Sequence, residues 1–205
     1  FGEFPEWMDK WKANFEEPLR PAGYDWLLDT DLEGFKKRVK DKLGIDAPMV
    51  YGIPKVFDYR CALGLLYEEE IKGYEWWGTT DFDVVYGDVN KWITDEFLSE
   101  LDLFSNHISY VSGFFTLYRN IPEVNKLFLK HLDWIHYLTN PYVSGWVEIG
   151  YSRLLESSGL RYSYQRWQGD FTDTLPKLKI ENGKLYQNEE EIMCFHFRRS
   201  KRWPL

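Results

Sequence analysis

Two aspartates separated by one residue, Asp81 and Asp83, lie in the stretch "YEWWGTTDFDVVYGD". Two carboxylates this close repel each other unless a cation joins them. Hard oxygen ligands suit Mg²⁺ or Mn²⁺, ions that keep waters and take further oxygens from a substrate diphosphate. The plainer alternative is a solvated turn carrying two acids. A second group stands far along the chain. His196 heads "HFRRSKRW", so Lys201 and Trp203 follow it closely. A histidine on an apolar strand is most often a core residue, but an imidazole can also complete a carboxylate site for Mn²⁺. A lysine holds a phosphate as a point charge. Asp81, Asp83, His196 and Lys201 together would make a diphosphate clamp. The chain has another Asp-x-Asp pair, Asp29 and Asp31. There Asp31 precedes a helical pattern, and it is read as a helix N-cap.

The elements that must position these groups alternate between strand and helix patterns, which argues for an α/β domain. Trp7, Trp11 and Phe15 are spaced for a helix near the start. "YDWLLDTD" reads as a buried strand. Leu32, Phe35, Val39 and Leu43 share one helical face, and Gly44 stops that helix. Pro54 opens a helix running to about Glu69. "YEWWGTTDFDVV" reads as a strand running into Asp81 and Asp83, and a short helix begins near Lys91. "LDLFS" and "ISYVSGFFTLYRN" read as strands. Pro122 starts a helix with Val124, Leu127, Phe128 and Ile135 inward, and another covers Glu148 to Glu156. Asn182-Gly183 marks a tight hairpin turn. "EIMCFHF" is the last strand, and it delivers His196.

The 205 residues suffice for one sizeable core, and 44% are hydrophobic. The net charge of -8, with no basic stripe, argues against a nucleic-acid partner. Cys61 and Cys194 each sit in an apolar run, which suits free buried thiols better than a disulfide framework. No apolar run approaches a membrane span and no signal peptide is visible, so a cytoplasmic location is expected, peripheral to the inner membrane surface through partners.

The runs "GYEWWGTTDFDVVYGDV", "VSGFFTLYRN" and the closing "HFRRSKRW" resemble a bacterial glycosyltransferase-like family of the GT-A type, associated with surface-polysaccharide synthesis. The likeness spans nearly the whole chain. The ending is also similar to the His-Phe…Lys-x-Trp signature of glycogenin-like and lipopolysaccharide galactosyltransferases. The resemblance implies a single GT-A domain over residues 1–205, with a mixed, mostly parallel central sheet flanked by helices. It implies Mn²⁺ or Mg²⁺ held by Asp81, Asp83 and His196, with Asp81 also near the ribose and Lys201 on phosphate. The donor would be a nucleoside-diphosphate sugar, a UDP-sugar first among them, and the acceptor a glycan or a lipid-linked glycan. Lys55, Asp58 and Arg60 in "PKVFDYR" would flank the nucleotide, although exposed charges on a helix face read the same way. Glu148 in "GWVEIGYSRLLE" resembles an acceptor-side base, although a helix start favours Glu through its dipole alone. Trp76, Trp77 and Trp203 would wall the pocket. The family usually has a short apolar strand ahead of the position of Phe1, and this sequence begins without it. The ending favours a retaining transfer, whereas Glu148 as base favours inversion.

Three rival readings stand beside this one. A phosphatase with a strand-end aspartate nucleophile wants Asp-x-Asp-Gly-Thr, and Val84 and Val85 occupy those last places. A nucleotidyltransferase wants a Gly-rich basic N-terminal loop, which is not seen. A non-catalytic nucleotide-sugar or carbohydrate-binding module would keep the fold without the metal requirement.

Overall fold

The computed structural model describes residues 24–49, 55–169 and 177–197. Lys201, Trp203 and the expected N-terminal helix lie outside them. Among the described residues ten strands form three sheets. They are β1 (Trp76–Thr80), β2 (Val84–Tyr86), β3 (Leu103–Ser105), β4 (Phe115–Arg119), β5 (Tyr162–Tyr164), β6 (Gln168–Gly169), β7 (Leu178–Glu181), β8 (Lys184–Gln187), β9 (Glu190–Ile192) and β10 (Cys194–His196). The sheet orders are β1-β4-β3-β5, β2-β10-β6 and β7-β8-β9. The architecture is mixed α/β. The expected mostly parallel sheet is not what forms. The pairs β3–β5 and β10–β6 run parallel, whereas β3–β4, β2–β10, β7–β8 and β8–β9 run antiparallel. Short connections account for β7–β8 and β8–β9, because a tight turn can join only antiparallel neighbours.

The chain groups into two compact units. The first takes the described residues within Leu27–Thr79 and Glu100–Gln165. Its helix Leu32–Leu43 forms for local reasons. Asp31 caps it by accepting from the Gly34 N–H at 2.9 Å. Gly44 ends it with φ 71° and donates to the Lys40 carbonyl. Leu32, Phe35 and Val39 are buried in the unit's core, as their spacing requires. The preceding "YDWLLDTD" is not a strand. The Asp29 carboxylate accepts from the Asp31 N–H and from the Tyr67 hydroxyl, and this local bonding competes with a ladder. The segment after Pro122 is also broken up, into Pro122–Asn125, Leu127–Lys130 and Trp134–Thr139. Val124, Leu127 and Phe128 are buried as expected, but Ile135 is 49% exposed.

The second unit holds the described residues within Thr80–Ser99 and Arg166–Leu205, together with 24–26. Asn182 (φ 52°) and Gly183 (φ 75°) make the two-residue turn between β7 and β8. Asn188 (φ 50°) and Glu189 (φ 72°) make a second one between β8 and β9. "EIMCFHF" breaks at Met193, whose N–H donates to the Trp167 carbonyl and whose carbonyl accepts from the Gly87 N–H. The two halves therefore serve different sheets. Leu185, Ile192 and Phe195 form the apolar centre of this unit. Cys61 and Cys194 are both buried and form no disulfide.

Asp102, which precedes β3, fixes the edge strand β5. It accepts from the Arg161 backbone N–H at 2.9 Å and from its guanidinium at 2.8 Å. The Arg161 hydrogen bond, ahead of the opposing effect of burial, holds the Asp102 carboxyl below the ordinary aspartate range. A lowered folded pKa stabilises the fold above the unfolded value of about 4, and the gain is lost as pH falls through the lower folded value. Asp102→Asn should therefore lower stability at neutral pH and flatten its fall with acid, as read by urea unfolding at a series of pH values.

Candidate metal centre

The Asp81–Asp83 corner lies between β1 and β2, with a turn at Phe82 and Asp83. It therefore interrupts what reads in sequence as one strand. Across from it runs β10, antiparallel to β2, with Cys194 opposite Tyr86, Phe195 opposite Val85 and His196 opposite Val84. One step further the Phe197 N–H donates to the Asp83 carbonyl at 2.7 Å. The ladder thus carries His196 to the corner. Its Nε2 lies 3.3 Å from Asp83 Oδ1 and 3.7 Å from Asp81 Oδ2. One ligand atom from each of the three residues can be chosen so that all lie within 4.8 Å of one another. The side chains are 22%, 13% and 14% exposed for Asp81, Asp83 and His196, so the group is sheltered yet open to one side.

Two oxygens and one imidazole nitrogen suit Mn²⁺, and suit Mg²⁺ less well. Such a set leaves positions for water or for oxygens of a phosphate ligand. A protonated His196 between the two acids would offset only one of their two negative charges without an ion. Thr80 and Tyr86, which the sequence reading passed over, brace the corner. Their hydroxyls lie 2.6 Å apart, and Tyr86 is buried. The signal for this was Thr80 standing directly before Asp81, with a buried ring at the far end of β2.

The other sequence candidates fall elsewhere. Lys201 and Trp203 lie outside the described residues. Lys55, Asp58, Arg60 and Glu148 belong to the first unit, whereas the aspartate-histidine group belongs to the second. Lys55 and Asp58 are 0% and 1% exposed, so neither offers its charge to a nucleotide, nor are they solvated helix charges. The Lys55 ammonium donates to Asp58 Oδ2 at 2.7 Å, to the Tyr137 carbonyl at 2.6 Å and to the Tyr142 carbonyl at 3.0 Å. All three of its donors are thereby used. Arg60 lies over the Phe57 ring at 4.4 Å. Trp77 is a core ring, stacked on Tyr118 at 4.1 Å and donating to Asn125 at 2.7 Å. It therefore cannot wall a pocket; Trp76 is half-buried. Glu148 is exposed near the start of the segment Val147–Tyr151.

The model of the family described as "Family of unknown function (DUF6625)" matches residues 25–202, and the chain belongs to that family. Neither a curated protein nor a solved structure matches the chain. No helix among the described residues is long and apolar enough to cross a membrane.

Removing one member of a buried ion pair strands the other charge and typically costs about 3–5 kcal/mol. Lys55→Met should destabilise the protein by that order in urea unfolding. A loss near zero would show that Asp58 finds another partner.

Proposed function

We propose that this chain is a metal-dependent glycosyltransferase. It would move a sugar from a nucleoside-diphosphate sugar, foremost a UDP-sugar, to a glycan or lipid-linked acceptor in surface-polysaccharide synthesis. The observation that carries the reading is the convergence of Asp81, Asp83 and His196, with both aspartate-histidine separations under 4 Å. The motif resemblance across the chain supports the choice of substrate. A GT-A fold and a cytoplasmic site at the inner membrane surface are part of the same proposal.

In this mechanism Asp81, Asp83 and His196 would hold Mn²⁺ or Mg²⁺, and an ion there would supply Lewis-acid charge neutralisation for the departing nucleoside diphosphate. The bond from the sugar's anomeric carbon to phosphate breaks, and one from that carbon to an acceptor oxygen forms. The acceptor proton leaves to a general base. Lys201 supplies a further positive charge for the diphosphate. Orientation of donor and acceptor contributes much of the remaining rate gain.

Titration calorimetry with UDP, GDP, ADP and CDP, with and without Mn²⁺, tests the donor side. The wild-type chain should bind one of them in an Mn²⁺-dependent way. Asp83→Asn should weaken that binding by at least about tenfold, near 1.4 kcal/mol. Binding that ignores both Mn²⁺ and the substitution would favour the non-catalytic module. No binding at all would remove the transferase reading.

A further inference from the structure

The first unit contains a cavity of about 560 Å³ that the glycosyltransferase reading does not use. Its volume falls in the range of small-molecule sites. Lys130, His131, Leu132, Ile149, Gly150 and Arg153 line it, and so does the acidic Asp133. Lys130 and Arg153 are exposed and, among the described residues, neither makes an ion pair. His131 adds a donor of fixed sense. The Asp133 N–H donates to its Nδ1 at 3.1 Å, so in the neutral ring the proton sits on Nε2. That Nε2 lies 3.4 Å from where a Cβ on Gly150 would stand, and the glycine leaves the space beside it open. The lip is apolar, for Leu132 is 97% exposed and Ile149 is 58% exposed. Leu132 and Ile149 thus present apolar surface beside Lys130, Arg153 and Asp133.

The part of the wall beside His131 is tied to buried groups. Tyr137, Ser144 and Trp146 also line the cavity. The Tyr137 carbonyl accepts from Lys55, the Ser144 N–H donates to Asp58 Oδ2 at 3.0 Å, and the Trp146 indole N–H donates to the Asp58 carbonyl at 2.7 Å. The Tyr137 and Trp146 rings stack at 5.3 Å and 4°. The buried Lys55–Asp58 pair thus anchors three lining residues. A pre-organised wall reduces the ordering cost of binding.

We infer that this cavity seats an amphiphilic anion, a phosphate or carboxylate head on an apolar chain. Arg153, Lys130 and the His131 Nε2–H serve the head, and Leu132 and Ile149 serve the chain. Guanidinium and ammonium groups suit such anions. The inference goes beyond the transferase proposal and does not depend on the aspartate-histidine group.

The test is titration calorimetry of the full chain with monomeric decyl phosphate, with inorganic phosphate and decyl maltoside as probes of each half, and with phosphatidylglycerol vesicles. The expected result is saturable decyl phosphate binding, tighter than that of either half-probe. Lys130→Gln with Arg153→Gln should weaken it by about fivefold or more, since charge-assisted contacts to the head are lost. Leu132→Ser should weaken it while leaving phosphate binding unchanged. These positions are exposed, and circular dichroism checks that the variants fold. No saturable binding, binding indifferent to the variants, or uptake by vesicles alone would overturn the inference.

Discussion

The pairing of β2 with β10 is the constraint on which the second unit's chemistry rests. Val84 and Tyr86 on one strand, and Cys194 and Phe195 on the other, are buried. Their burial fixes the register, because a slip of one residue would turn every side chain to the opposite face. The same register sets His196 opposite Val84, and the Phe197 N–H on the Asp83 carbonyl closes the next step. The aspartates and the histidine meet because an apolar ladder is satisfied beside them. Their approach thus comes from backbone and core terms far larger than any net attraction between partly exposed charges.

In the first unit a different interaction organises the surroundings. Lys55 and Asp58 reach the carbonyls and N–H groups of residues 137–146, which lie about 80 positions away in sequence. A buried ion pair adds little net stability over an apolar replacement, but it is intolerant of misalignment once in place. Here it fixes Tyr137, Ser144 and Trp146 against the short helical segment Lys55–Ala62. Hydrogen bonds to every Lys55 donor offset the cost of burying its charge, whereas Asp58 Oδ1 is buried without a hydrogen-bond partner among the described residues.

What the sequence disclosed was mostly local. The helix Leu32–Leu43 was legible because its cap, its apolar spacing and its stop all lie within fourteen residues. The Asn182-Gly183 hairpin was legible because positive φ at two successive residues needs those types. The aspartate pair and His196 were legible as ligand types, although nothing local said that β10 pairs with β2. Lys55 and Asp58 misled because the rule that charged helix residues face water fails when distant backbone supplies partners. "YDWLLDTD" misled because Asp29 bonds its own neighbourhood in place of a ladder. "EIMCFHF" hid a break at Met193, since its apolar run continues through two sheets. The cavity beside His131 carried no motif, because its lining is scattered over residues 130–157 with no regular spacing.

The central claim is that the Asp81, Asp83 and His196 group exists to hold a divalent cation and is more than an ion pair. Crystals of the wild-type protein equilibrated with Mn²⁺, measured for anomalous scattering, address it most directly. The account predicts one strong peak within about 2.5 Å of a carboxylate oxygen of Asp81, one of Asp83 and a ring nitrogen of His196. A map with no peak there, and His196 still placed between the two acids, would contradict it.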